Sequence, residues 1–341
     1  MGSNDPFGAG SISRNEALVQ LKEEKKMKKF WQLAATSILA ISVLMACGSE
    51  AEPTEKKETA QNEESAAGAF PVTVEDALGK EVTLEEAPDR IVSLTPSNTE
   101  ILFGLGLDKE VVGVNDNDNY PEQVKERTKV GGTEYNIETI ISLQPDVVFA
   151  HESSMYTLEG AIDQLESAGI KVFVVEDAVN FNETYETIED VAALTGKEAE
   201  AEDIIASIKT KLSEIQKKLE GVEPKTAFMV VGGAPDIYVV GQNTFMNEML
   251  KAINVKNAVQ QDGWPKYSAE EFVAANPDSL LFTYKGDDEI IKNNPAFAVM
   301  KAVQNNAMAV VDGDTTSRQG PRIAEGVESI AKAVYPEVFN D

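Results

Sequence analysis

The sequence predicts an α/β protein of two lobes, each built on a mainly parallel sheet, joined by one long helix. Three observations carry this expectation. Short apolar runs alternate with helical stretches over 91–194, residues 196–221 hold a single amphipathic pattern, and beyond it a second series of strands and helices repeats motifs of the first.

Residues 91–94 read as a strand, 98–106 as a helix, 111–114 as a strand, 137–143 as a helix and 147–150 as a strand. Then come helix 157–169, strand 172–175 and helix 184–194. Strands alternating with helices argue a parallel sheet covered on both faces. The long helix follows, with Ala201, Ile204, Ile205, Ile208, Leu212, Ile215 and Leu219 at steps of three and four, and Glu, Lys and Gln opposite them. A glycine closes each end, and about 24 residues at 1.5 Å each span roughly 36 Å, enough to lie across two lobes. After it the order begins again: strand 227–231, helices 245–252 and 269–275, strands 279–283 and 308–311, and helix 323–334.

The repeat is legible residue by residue. Asn136-Ile137-Glu138 and Pro145-Asp146-Val147-Val148 line up with Ser268-Ala269-Glu270 and Pro277-Asp278-Ser279-Leu280 at a constant offset of 132. Each unit supplies an N-cap, a glutamate two residues on, an apolar helix face and a Pro-Asp turn into a strand. Two such lobes leave a cleft between them, and the carboxyl ends of parallel strands facing that cleft are the expected ligand site.

Ahead of the folded region, Lys28-Lys29, an apolar run from about Leu33 to Leu44 and Leu44-Met45-Ala46-Cys47-Gly48-Ser49 have the order of a basic region, a short hydrophobic core and a small-residue cleavage site. Cys47 is the expected lipidation site, as in the lipobox of bacterial lipoproteins, which this stretch resembles; an uncleaved membrane anchor is the alternative. The expected organisation is an upstream extension over 1–26, a lipoprotein signal peptide over 27–47, a disordered acidic tether over 48–70, a first lobe over 71–195, the connecting helix over 196–221 and a second lobe over 222–341.

With 42% hydrophobic and 26% charged residues, the 341-residue chain can bury two cores of ordinary size. A net charge of −28, with no block of Lys and Arg in the folded region, argues against nucleic acid as a partner. Cys47 is the only cysteine and His151 the only histidine, so the folded region has no disulfide or thiol chemistry and cannot build a multi-histidine zinc site. No metal site is expected in the protein itself. Ser153 and Ser154 follow His151 without a nucleophile-elbow pattern, Gly104-Leu105-Gly106 ends a helix, and no Gly-Lys-Ser or Gly-Lys-Thr is present. The expectation is therefore a binding protein without catalytic residues or a resident cofactor.

A resemblance covers residues 72–339. Asp76-Ala77-Leu78-Gly79 with Val82-Thr83-Leu84, the run from Arg90-Ile91-Val92 through Thr95-Pro96-Ser97-Asn98-Thr99-Glu100, Val130-Gly131-Gly132, the paired Pro-Asp segments, Gly263-Trp264-Pro265 and Gly320-Pro321-Arg322-Ile323 together resemble the cobalamin and iron-siderophore class of ABC-transporter substrate-binding proteins. The resemblance implies two Rossmann-like lobes, a rigid connecting helix, modest closure on the ligand, a monomer, and delivery to an ABC permease with its ATPase. It implies a lipid-anchored receptor on the outer face of a cell membrane, that of a Gram-positive bacterium, carrying a metal chelate: cobalamin ahead of ferric siderophore. A haem receptor of the same fold and a surface adhesin or scaffold that no longer transports are the alternatives.

Within the class, the similarity to the cobalamin binders places Asn117, Tyr120, His151, Trp264, Asp314 and Arg318 at the ligand. It also places Glu138 and Glu270, one per lobe, at the permease. Aromatic residues of the cobalamin binders are replaced here at Asn117, near Thr133 and at His151. Each residue also has a plainer reading. Trp264 before a proline can anchor a loop, His151 can cap a strand end, and a glutamate in a helix's first turn favours the macrodipole. Arg322 is read as closing a structural bond at a helix start, with Arg318 the better ligand candidate.

Overall fold

The computed structural model describes residues 70–232 and 237–339. The expected signal peptide, Cys47 and the tether through 69 lie outside the described residues.

The first lobe opens on an antiparallel pair, β1 (Val72–Glu75) and β2 (Glu81–Leu84). A five-stranded parallel sheet follows, built from β3 (Ile91–Ser93), β4 (Val111–Val114), β5 (Thr128–Lys129), β6 (Val147–His151) and β7 (Lys171–Val175) in the order β5-β4-β3-β6-β7. Every residue of β3 and β6 is buried, as parallel strands covered on both faces must be. The helices are α1 (Pro96–Gly104), α2 (Ile137–Ser142), α3 (Met155–Ser167) and α4 (Phe181–Thr195).

The connecting helix, α5 (Glu198–Lys218), has 21 residues and is about 32 Å long. It is shorter than the expected 196–221 because Gly196, at φ 69°, ends α4 in the left-handed region. Acidic Glu198 and Glu200 open α5 and Lys217 and Lys218 close it, each sign at the favourable end of the dipole.

In the second lobe β8 (Thr226–Gly232), β9 (Ile237–Val239), α6 (Phe245–Ala252), β10 (Lys256–Asn257), β11 (Lys266–Tyr267), α7 (Ala269–Ala275) and β12 (Ser279–Phe282) precede α8 (Asp287–Asn293) and α9 (Lys301–Gln304). Then come β13 (Met308–Val310), α10 (Gly313–Ser317), α11 (Ile323–Val334) and α12 (Pro336–Phe339). The sheet runs β11-β9-β8-β12-β13, with β10 also paired to β8. It is parallel around β8, β12 and β13 and turns antiparallel at β9 and β11.

The repeated Pro-Asp turns do the same work in both lobes. Asp146 Oδ2 accepts from the amides of Asp89 and Arg90 just before β3, and the Asp146 amide donates back to the Arg90 carbonyl. Asp278 Oδ2 accepts from the amide and hydroxyl of Thr226 at the start of β8, and its amide donates to the Thr226 carbonyl. Each aspartate thus sets the register in which β6 pairs β3 and β12 pairs β8.

One hydrophobic core runs through both lobes. It joins Ile91, Phe149 and Val175 to Ala201, Ile205, Ile208, Leu212 and Ile215 of α5, and these to Met229, Leu250, Leu281 and Val327. The helix is a wall shared by two sheets, so a wide hinge motion would expose apolar surface along its length. A second cluster fills the other face of the second sheet, where Phe228 stacks on Phe272 at 4.9 Å and Phe297 meets Phe272 edge-on at 5.6 Å.

Candidate functional site

The cavity between the lobes has a volume of about 540 Å³ and is built from element ends. The first lobe contributes Thr95, Pro96 and Ser97 where β3 turns into α1, His151 at the end of β6 with Ser153 just beyond it, and residues 177–179 after β7. From the second come residues 243–246 at the start of α6, Gly263 and Trp264, and Asp314 with residues 316–319. An adjoining cavity of about 430 Å³ shares Met246, Trp264, Asp314 and Ser317 with it and adds Thr283, Tyr284 and Asp312. The site therefore lies at the carboxyl ends of β3, β6 and β7, as the topology requires.

Trp264 is held out by a backbone lattice. The Gly241 amide donates to the Gly263 carbonyl and the Gly263 amide to that of Gln242, and a Cβ on Gly241 would stand 2.3 Å from the Gln261 carbonyl oxygen. Only glycine fits there. The segment presents an indole 51% exposed that borders both cavities.

His151, at 3% exposure, sits at the end of β6 with Nδ1 2.8 Å from Ser153 Oγ. The Ser153 amide donates to Nδ1 at 3.3 Å, which assigns the proton to Nε2. Burial pushes its pKa down to about 4, so the ring is neutral at ordinary pH.

Asp314 and Arg318 also line the cavity, but they are engaged with each other and with the first lobe. Arg318 Nη2 lies 2.8 Å from Asp314 Oδ1, while Nη1 donates to Glu100 Oε1 and Asn119 Oδ1, each at 2.8 Å. Asn119 Nδ2 donates to Asp314 Oδ2 at 2.7 Å. Arg322 pairs with the same Glu100 and stacks over Tyr120, its guanidinium carbon 3.9 Å from the ring centroid. Arg318 is among the residues that line the cavity and Arg322 is not, yet Arg318 shares the structural role expected of Arg322 alone. Both arginines fasten the second lobe to Glu100.

Four of the six expected ligand residues, His151, Trp264, Asp314 and Arg318, meet at one cavity. The other two lie elsewhere: Tyr120 belongs to the clasp beneath Arg322, and Asn117 is exposed on the loop after β4, its amide donating to Asn115 Oδ1. Beneath that loop, Asp118 accepts from Thr99 Oγ1 and the Asn115 amide, and burial raises its pKa to about 6. Glu138 and Glu270 are exposed at the second position of α2 and of α7.

Sequence reasoning did not single out Glu100, Asp177 or Gln319 as site residues, yet all three join the lobes; the Gln319 amide donates to Asp177 Oδ1 at 3.3 Å. One signal was available. Glu100 is the one charged residue of Pro96–Gly104 and runs straight into apolar Ile101-Leu102-Phe103, and a carboxylate buried beside such a run needs a cationic partner.

The sequence profile described as periplasmic binding protein matches residues 91–315. The ABC transporter substrate-binding lipoprotein YvrC of Bacillus subtilis (strain 168) is 41% identical over 319 residues, 92% of this chain and 100% of that one. A cobalamin-binding protein of Halobacterium salinarum is 27% identical over 284 residues, 78% of this chain and 75% of its own length. Among solved structures, a possible iron-binding (periplasmic solute-binding) protein from Staphylococcus epidermidis superposes with a TM-score of 0.68 at 35% identity, over 73% of this chain and 100% of that one. With two lobes closing on one cavity, a helix shared between them and a match over most of its length, the chain belongs to the periplasmic binding protein family, as an ABC transporter substrate-binding protein.

Proposed function

We propose that the protein captures a metal chelate between its lobes, a cobalamin ahead of a ferric siderophore, and hands it to an ABC permease driven by its ATPase. The observation that carries this reading is the cavity itself. It is wide, open to solvent and bordered by the half-exposed Trp264, with Tyr284 beside it, so the face of a large, partly apolar ligand can rest on aromatic surface. The relatives named for cobalamin and iron support the same class. Cys47, outside the described residues, is the proposed lipid anchor of a monomer on the extracytoplasmic face. Glu138 and Glu270 are the proposed permease contacts.

A haem receptor of the same fold is the second reading. What favours it is His151, a neutral imidazole among the residues that line the cavity. A thermal-shift screen of cyanocobalamin, ferric hydroxamates, a ferric catecholate and hemin tests both readings. A ligand at a hundred times its Kd adds about 2.7 kcal/mol of stability. No shift with any of them would leave the adhesin or scaffold reading standing.

A further inference from the structure

Six hydroxyl side chains line the cavity, those of Thr95, Ser97, Ser153, Thr244, Thr316 and Ser317. Four are engaged within the protein. Thr244, Thr316 and Ser317 donate to carbonyls three or four residues back at 3.0, 2.9 and 2.7 Å, and Ser153 Oγ lies 2.8 Å from His151 Nδ1. Thr95 and Ser97 are not engaged. Thr95 Oγ1 is buried without a partner, and the hydroxyl of Ser97, a residue only 4% exposed, bonds to none of the described residues. Buried polar groups are nearly always hydrogen-bonded, so two neighbouring exceptions on one cavity wall point to a partner from outside the chain.

The two hydroxyls flank the first residue of α1. Thr95 is the N-cap, with an extended backbone and no side-chain cap bond, and Pro96 has no N–H to donate. The first partnered amide is that of Thr99, which reaches the Thr95 carbonyl at 3.1 Å. The amides of Ser97 and Asn98 are therefore open, and no acidic side chain in the first turn compensates the positive end of the helix dipole. Helix α6 starts at the same cavity but is closed, since Thr244 Oγ1 accepts from the Asn247 amide at 3.2 Å.

Resting on the receptor reading above, we infer that the start of α1 is an oxyanion subsite. The hydroxyls of Thr95 and Ser97, with the amides of Ser97 and Asn98, take a singly charged oxygen group of the chelate, a carboxylate or a phosphodiester. Four uncharged donors at a helix end worth about half an elementary charge suit one negative charge.

Isothermal titration of the wild type and of the double variant Thr95→Val, Ser97→Ala with three matched pairs tests this and separates the sources of the group. Hemin against hemin dimethyl ester and N-succinyl ferrioxamine B against ferrioxamine B read a carboxylate. Cyanocobalamin against dicyanocobinamide, which lacks the phosphodiester and its nucleotide, reads the other. In at least one pair the oxyanion-bearing member is expected to lose roughly tenfold or more in affinity in the variant, and its counterpart less than about twofold. Because neither hydroxyl has a partner in the apo-protein, the variant's apo Tm should hold or rise. A fall of more than about 4 °C would make the hydroxyls structural and overturn the subsite. Equal effects on both members of every pair that binds, or binding by the oxyanion-free members alone, would overturn the subsite and leave the receptor reading intact. Failure of all six probes would overturn the subsite together with the receptor reading on which it rests.

Discussion

Arg322 grips Glu100 at two points, Nε to Oε2 at 2.8 Å and Nη2 to Oε1 at 2.5 Å, and this pair crosses from the second lobe to the first. Arg318 donates to the same carboxylate, so one anion holds two cations whose side chains are only 10% and 14% exposed. Such a triad is costly to bury and more costly to break. With the core that runs through α5, it gives the two lobes two independent attachments, one apolar and one ionic.

Glu100→Gln should therefore cost about 3 kcal/mol, because it leaves two guanidinium groups facing each other without their shared anion. For a folded region of this size that is a fall in Tm of roughly 6 to 12 °C, read by calorimetry. A fall under about 2 °C would show the clasp to be dispensable.

Two buried groups predict a pH profile that only variants uncover. Asp118 is pushed up to about 6, chiefly by burial, against the bonds from Thr99 and the Asn115 amide and the nearby Lys129 and Arg318. Between about pH 4 and 6 the native state holds a proton there that the unfolded chain has released, so this group's contribution to stability falls as pH rises. His151 is pushed down to about 4 by burial, against neighbouring Glu152. Over about pH 4 to 6.5 the unfolded chain holds the proton and the native ring does not, so this contribution rises with pH. Each slope is about 1.4 kcal/mol per pH unit, and they nearly cancel. Relative to wild type, Asp118→Asn should gain about 3 kcal/mol between pH 4 and 6.5 and His151→Gln should lose about as much. Urea titrations at four pH values decide it, and difference curves that stay flat would refute it.

The architecture was legible in the sequence because it rests on long patterns. The strand–helix alternation, the α5 stripe and the 132-residue offset all have physical counterparts, the last in Asp146 and Asp278 bonding alike to the strands beside them. The short pieces were not legible. β5, β10 and β11 have two residues each, and α10 has five, too few to show a period. At the site, Trp264 and His151 stand out as rare residues. The clasp is hidden because Glu100 and Arg322 are 222 positions apart, and nothing local couples them.

Glu138 and Glu270 occupy equivalent helix positions, one per lobe, and both are exposed. Their value to helix stability is a few tenths of a kcal/mol, so reversing both to Lys should leave the fold and the affinity for cyanocobalamin within about twofold. Whole-cell uptake should fall by roughly tenfold or more, since charge pairs at a docking surface govern encounter and register. Uptake at the wild-type rate would place docking on other residues.

The proposed anchor is a diacyl group on Cys47, so Cys47→Ala should release the protein into the medium or leave it unprocessed. Cell fractionation reads this directly, and unchanged membrane attachment would exclude lipidation at Cys47.

Trp264 offers the sharpest test of where the ligand lies. Its indole is 51% exposed and borders both cavities, whereas the residues that position it are backbone groups of 241–242 and 263. Removing the side chain therefore takes little from the folded state and leaves the Gly241–Gly263 bonds in place. A chelate that covers one indole face buries about 100 Å² against it, worth roughly 2 to 3 kcal/mol at 25 cal/mol per Å². Trp264→Ala should then weaken the bound chelate by roughly one to two decades, with the apo-protein's Tm moving by less than about 2 °C. Fluorescence bears on the same point, since ligand quenching of tryptophan emission should disappear with the indole. Lost stability at unchanged affinity would make Trp264 a loop anchor and move the ligand toward His151 and the start of α1.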